Sequence, residues 1–346
     1  MNPYTKSIST LSLLLGTTIT ISSNHWMMAW AGLEINTLAI IPLISKSHHP
    51  RAIEATIKYF LVQATASTLV LFSSMTNAWI TGQWDITQLH HPMSCLLLTT
   101  AIAMKLGLVP FHFWFPEVLQ GSSLTTALLL STMMKFPPTI LLLLTSHSLN
   151  PALLTTMAIA STALGGWMGL NQTQIRKILA FSSISHLGWM TIIVIYNPKL
   201  SLLALYLYIL MTTVVFLSLH TTKSLKLSTM MTSWTKTPML NAALMLTLLS
   251  LAGLPPFTGF LPKWLILQEL TKQEMTTAAT IIAMLSLLSL FFYLRLTYYS
   301  TITLPPNSTN HMKQWHINKP ANTSIATLTS LSTLLLPLSP MILTAI

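Results

Sequence analysis

The sequence predicts an all-α polytopic membrane protein of eleven transmembrane helices, two of them discontinuous, in an inverted repeat of five plus five with one extra helix. Three observations carry this. Of the 346 residues, 52% are hydrophobic and only 7% are charged, whereas a soluble domain has about 25% charged residues. The chain divides into apolar stretches near the roughly 20 residues a helix needs to cross a bilayer core. And one interrupted phrase occurs twice, as AIAMKLGLVPFHFWFPEVLQ at 101–120 and LAGLPPFTGFLPKWLILQ at 251–268. Gly107, Leu108, Pro110, Phe111 and Pro116 recur as Gly253, Leu254, Pro256, Phe257 and Pro262 at a single offset (253 − 107 = 146). Gln120 recurs as Gln268, two positions off register.

In order, the spans are 3–23, 25–44, 51–79, 94–119 (broken), 124–146, 151–170, 175–196, 199–221, 238–268 (broken), 276–299 and 323–344. Gly and Pro mark most of the turns. The whole chain, 1–346, reads as a single membrane domain: 1–147 as the first repeat, 151–300 as the second, and 301–346 as a loop plus the extra helix. The longest polar stretches are 223–236 and 303–320. Residues 1–23 could pass for a signal peptide, but the small-residue site at Ala29-Trp30-Ala31 lies inside the next span, which argues against one.

The repeat is inverted because the broken segments are spans four and nine, an odd number apart. Two interrupted segments at matching places in two halves point to a transporter-type site at the bilayer midplane. A break in lipid leaves backbone groups unpaired unless protein or water satisfies them, so Pro110 and Pro256 are expected to face an internal polar path.

Charge sets the orientation. Turns on the side of the N-terminus carry Lys46, Arg51, Arg176, Lys177, Lys223, Lys226, Lys236, Lys313 and Lys319, and the opposite turns carry only Lys199 and Lys272. The positive-inside rule puts the N-terminus on the side of synthesis and the C-terminus opposite. The net charge of +11 therefore belongs to membrane turns and does not indicate nucleic acid.

Four ionisable residues lie well inside spans: Glu34, Lys105, Lys135 and Lys263. A charge at the centre of an isolated helix costs about 2.5–3.5 kcal/mol on insertion scales, so such residues persist where they pair or line water. Glu34, the one mid-span acid, has a natural cationic partner in Lys105. At about 4 Å and an effective dielectric near 20, that attraction is about 4 kcal/mol. Burial favours the neutral amine and a carboxylate the ammonium, so moving or neutralising Glu34 would switch the lysine between holding and releasing a proton. Arginine, always charged, cannot do this, and none occurs mid-span. Lys135 precedes the pair Pro137-Pro138, which opens the backbone.

His112 inside the first break and His186 in FSSISHLGWM are candidate proton relays; the plainer reading of each is a helix–helix hydrogen bond. Glu117 is the repeat partner of Lys263 and lies near a span end. Lys6, Lys58 and Arg295 are placed to snorkel. His48-His49 and His90-His91 lack a third ligand nearby, the single cysteine, Cys95, excludes a disulfide framework, and no phosphate loop, dinucleotide fingerprint or nucleophile elbow occurs. Asn307-Ser308-Thr309 matches a glycosylation sequon but falls on the untranslocated side. The twenty methionines and the single aspartate, Asp85, suggest the compositional bias of animal mitochondrially encoded proteins.

HFWFPEVLQGSSLTTALLLSTMMK at 112–135 resembles the signature of the proton-translocating, antiporter-like membrane subunits of respiratory complex I. The opening MNPYTKSIST, AGLEINTLAIIPL, KSHHPRAIEATIKYFL and LAGLPPFTGFLPKW are similar to the mitochondrial, mammalian type of that family, over essentially the whole chain. The resemblance implies that Glu34 is the family's essential glutamate, that Lys105, Lys135 and Lys263 are its three membrane lysines, and that they lie on a hydrated midplane axis. It implies a multi-pass protein of the mitochondrial inner membrane with its N-terminus on the matrix side and its C-terminus on the intermembrane-space side. NADH, FMN, iron–sulfur clusters and ubiquinone would act in other subunits, with no cofactor or metal bound by this chain. Partners would be neighbouring antiporter-like subunits, accessory subunits and lipid. The wider family has fourteen spans, so three N-terminal ones are absent here. A stand-alone cation/proton antiporter and a scaffold that relays energy without pumping are the alternatives.

Overall fold

The computed structural model describes residues 3–47, 49–233, 237–301 and 323–339. Lys236, Lys313, Lys319, the sequon and the end of the last expected span lie outside them.

Every named element is helical. The order is α1 (Pro3–Ser22), α2 (Trp26–Ile44), α3 (Pro50–Thr81), α4 (Pro92–Leu106), α5 (Trp114–Gly121), α6 (Leu124–Ser131) and α7 (Phe136–Leu144). Then come α8 (Pro151–Gly169), α9 (Ile175–Ile193), α10 (Pro198–Thr222), α11 (Leu227–Met231), α12 (Pro238–Ala252), α13 (Phe260–Lys272), α14 (Thr276–Thr301) and α15 (Thr323–Leu334). Among the described residues six segments are long and apolar enough to cross a membrane: α2, α3, Leu124–Leu144 (α6 and α7 together), α8, α10 and α14.

Proline opens many of these helices. It occupies the first turn of α3, α4, α7, α8, α10 and α12, where a missing N–H costs nothing. Asn150 and Asn197 accept from the first-turn amides of α8 and α10, as N-caps do. α1 and α2 pack backbone to backbone: a Cβ on Gly16 would lie 2.9 Å from the Gly32 carbonyl oxygen and would run into the Asn36 side-chain amide. Small residues permit this approach, and van der Waals contact rewards it where lipid supplies no hydrophobic drive.

α9 is buried on nearly every side. Its serines stay inside because each hydroxyl donates three residues back: Ser182 to Leu179, Ser183 to Ala180 and Ser185 to Ser182. Two features were not expected. The segment 124–146 is not one helix: Met133–Lys135 forms a 3-10 turn between α6 and α7. α11 lies in what reads as a polar turn.

Two turn pairs meet in the same way. Trp26 N donates to Trp84 O at 3.2 Å and Ile86 N to Asn24 O at 3.0 Å. Ile175 N donates to Leu225 O at 3.2 Å and Leu227 N to Thr173 O at 3.2 Å. Each joins the turn before a second span to the turn before a broken one.

Candidate proton-transfer site

Both breaks are built from one device. α4 ends at Gly107 (φ +74°) and α12 at Gly253 (φ +80°), left-handed positions that glycine occupies without a Cβ penalty. Leu108 N reaches back to Ala103 O at 2.9 Å and Gly107 N to Met104 O at 3.2 Å. At the second break Leu254 N reaches Leu249 O at 3.5 Å and Gly253 N reaches Ser250 O at 3.0 Å. This Schellman closure satisfies two of the four orphan carbonyls at a helix end. It leaves the last two carbonyls of the helix open.

Side chains reach both of them at the first break and the last one at the second. Gln63 Nε2, on α3, donates to Lys105 O at 3.4 Å. Lys135 Nζ donates to Leu106 O. At the second break Lys263 Nζ donates to Ala252 O at 2.7 Å. The ammonium also meets the negative end of the helix dipole in each case. The break is thus satisfied by protein, but not through the prolines: Pro110 and Pro256 are both exposed. A proline has no N–H to offer an internal path, and the polar side of each break is made by carbonyls and lysines.

Lys105 and Lys135 face the same internal cavity, with Tyr59, Gln63, Trp114 and the prolines Pro137 and Pro138. It has ≈ 20 Å³ of room for a water centre, and one water needs roughly 10–15 Å³. Lys135 is 1% exposed, and its ammonium lies 4.1 Å from the Phe115 ring centroid, a cation–π contact that offsets part of the burial. Lys105 is buried and its Nζ has no hydrogen-bond partner among the described residues. Nor has the buried Glu34 Oε2.

Glu34 and Lys105 were expected to touch. Among the described residues the three ion pairs all lie elsewhere, so the two charges act on one another across a gap. Glu34 is on α2, next to Leu33 and close to Asn36 and Thr37, which line the same cavity.

The second cluster gathers His186 and Lys263 around a cavity with Trp189, Met190 and Tyr208. His186 Nε2 is 3.2 Å from Tyr293 Oη, and Lys263 Nζ lies 5.9 Å from the Trp189 ring centroid. A third cavity stands between the clusters and shares Met190 with the second. Leu106, whose carbonyl holds Lys135, lines it. Its walls are mostly leucine, with Thr139, Thr191 and Ser201 as the polar members.

The sequence-predicted residues therefore fall into two groups, Glu34–Lys105–Lys135 and His186–Lys263. His112 joins neither. It is 1% exposed in the first break, its ring 4.2 Å from Phe113. Tyr59, Gln63, Tyr208 and Tyr293 were not anticipated. Gln63 carried a signal, being an uncharged polar residue mid-span; the tyrosines gave none, since aromatic residues are ordinary in apolar helices.

The chain and its fold have known relatives. Residues 23–289 match the NADH:quinone oxidoreductase/Mrp antiporter membrane family and 290–343 the C-terminus of NADH dehydrogenase subunit 2. NADH-ubiquinone oxidoreductase chain 2 of Struthio camelus is 81% identical over 346 residues, covering 100% of both chains. That of Gallus gallus is 77% identical over 344 residues, 99% of each. Both are avian, whereas the motifs had suggested the mammalian type. A chain of respiratory complex I from Thermus thermophilus superposes with a TM-score of 0.84 at 25% identity, over 97% of this chain and 80% of that one. A chain of the Mrp complex from Dietzia has the same fold, with a TM-score of 0.77 at 18% identity over 97% and 75%. The chain belongs to the NADH-ubiquinone oxidoreductase chain 2 family, a branch of the antiporter-like membrane subunits of NADH:quinone oxidoreductases.

Proposed function

We propose that this chain moves protons within the membrane arm of complex I, coupled to quinone reduction in other subunits. Glu34 biases Lys105, the proton passes to Lys135 in the shared cavity, and His186 and Lys263 carry it onward. The observation that supports this most is the lysine at each break. An ammonium bound to a helix-end carbonyl holds its proton; when the amine gives up that proton, it loses the charge that the dipole favours. Lysine can make this change and arginine cannot.

The wider reading follows. Eleven spans, 1–147 and 151–300 as inverted halves, and 301–346 as loop and last helix are supported by the matched glycine ends and by the two identical turn pairings. The matrix-side N-terminus rests on charge bias, and the mitochondrial inner membrane on the animal relatives. NADH, FMN, iron–sulfur clusters and ubiquinone belong to other subunits. Neighbouring antiporter-like subunits, accessory subunits and lipid cover the exposed apolar faces, such as Ile8, Leu11 and Leu15 of α1. His112, buried on the first break, is a candidate relay there.

One observation favours a scaffold reading: the leucine-walled cavity between Lys135 and His186. Lys135→Met in the assembled, reconstituted complex separates the two. Fewer protons moved per NADH oxidised supports conduction; an unchanged ratio with intact assembly supports the scaffold.

A further inference from the structure

A cavity of another kind opens where α3, α5 and the first turn of α9 meet. It has ≈ 300 Å³ of room on the same measure and is lined by Arg51, Glu54, Lys58, Glu117, Gln120 and Lys177. At its centre Lys58 Nζ lies 2.5 Å from Glu54 Oε1 and 2.5 Å from Glu117 Oε2. The Lys58 and Glu117 side chains are 41% and 52% exposed, so this vestibule opens outward on the side of the basic turns. Facing the pair are Arg51 and Glu54 from α3, Gln120 from α5, and Lys177 from α9, with Arg176 close by, bonded to Ser122 O.

The same two helices carry the wall of the inner cavity. Tyr59 follows Lys58 on α3, and Trp114 lies one turn before Glu117 on α5, on the same helix face. Their rings meet edge to face at 5.8 Å, and both line the cavity of Lys105 and Lys135. The Tyr59 hydroxyl is buried and has no hydrogen-bond partner among the described residues. A buried donor left unsatisfied is costly, and here it marks a place for a transient partner beside the lysine cavity.

We infer that the Lys58–Glu117 pair is the port between this vestibule and the Lys105–Lys135 cavity, with Glu117 as its proton-carrying group. The inference rests on the proton role proposed above for those two lysines. In the step, a hydronium ion gives its proton to a Glu117 carboxylate oxygen and is left as water. The neutral carboxyl releases Lys58. It then passes the proton inward to water beside Tyr59, and the carboxylate re-forms and recaptures Lys58. Charge and protons balance, and no electron moves.

The plain alternative is a strut tying α3 to α5. An exposed pair of this kind adds little to stability, so its loss leaves the fold standing and the two roles can be told apart. The assembled complex, reconstituted in liposomes, would be assayed as wild type and as Lys135→Met, Glu117→Gln, Glu117→Asp, Lys58→Met and the double variant Lys58→Met with Glu117→Gln. The readout is protons moved per NADH oxidised and its dependence on vestibule-side pH. The port predicts that Glu117→Gln lowers the ratio as far as Lys135→Met does, that the double variant stays as low, and that Glu117→Asp recovers most of it. A wild-type ratio in Glu117→Gln beside a lowered one in Lys135→Met overturns the port alone. So does recovery in the double variant, which marks a strut. An unchanged ratio in Lys135→Met overturns the proton role of the lysines and the port with it. Should Glu117→Gln not assemble, Glu117→Asp decides: a shifted pH profile supports the port, and an unshifted one overturns it.

Discussion

Lys135 and Lys263 close the same position on two different helices: each donates to the carbonyl immediately before a left-handed glycine, Leu106 O before Gly107 and Ala252 O before Gly253. The carbonyls share the repeat offset (252 − 106 = 146), but the lysines do not. Lys263 comes from the same broken segment, and Lys135 from the next one. The two halves thus meet one need, a helix end without water, from different places in the chain.

Lys135→Arg and Lys135→Met should part structure from transport. Arginine can still donate to Leu106 O but stays charged, so the complex is expected to assemble with wild-type thermal stability and to lose proton movement. Methionine leaves the carbonyl unpaired at a cost of about 1–3 kcal/mol, so the same loss should come with a lower Tm of the assembled complex. Thermal unfolding and pumping measured together check both.

Gly253→Ala should act on Lys263. The new Cβ would lie 2.9 Å from Lys263 Nζ, and a non-glycine residue at this φ costs about 1–2 kcal/mol. Turnover is expected to fall at least several-fold, with Lys263→Met no worse on top of it. Additive losses in the double variant would show that the glycine acts some other way.

Glu34→Gln should spare assembly. Among the described residues the carboxylate makes no ion pair and its Oε2 has no partner, so an amide removes charge without breaking a contact. The expected result is normal complex content on a native gel with proton movement reduced about tenfold. A loss of complex content would mean the carboxylate supports the structure through a contact not present in this state.

The leucine-walled cavity should respond to polarity. Leu187→Thr places a hydroxyl between the Lys135 and His186 clusters. If that leucine-walled stretch limits conduction, proton leak through the resting complex rises, read as faster decay of an imposed pH gradient in liposomes. An unchanged decay rate would show that the limit lies elsewhere.

The chain's composition, the spacing of its apolar runs and the repeated Gly-Leu-x-Pro-Phe phrase determined the helical membrane fold, both breaks and the four mid-span charges, because lipid punishes any other use of those residues. Local rules reached the helix ends as well, through proline openings and the left-handed glycine at each break. What only the tertiary structure decided is who satisfies whom. Gln63 and Lys135 reach carbonyls 42 and 29 residues away, Glu34 and Lys105 stand apart instead of pairing, and Pro110 and Pro256 turn outward. Spacing along a helix fixes a face but not the helix opposite it, and a carbonyl left open at a break can be reached by any donor that packing brings within about 3 Å.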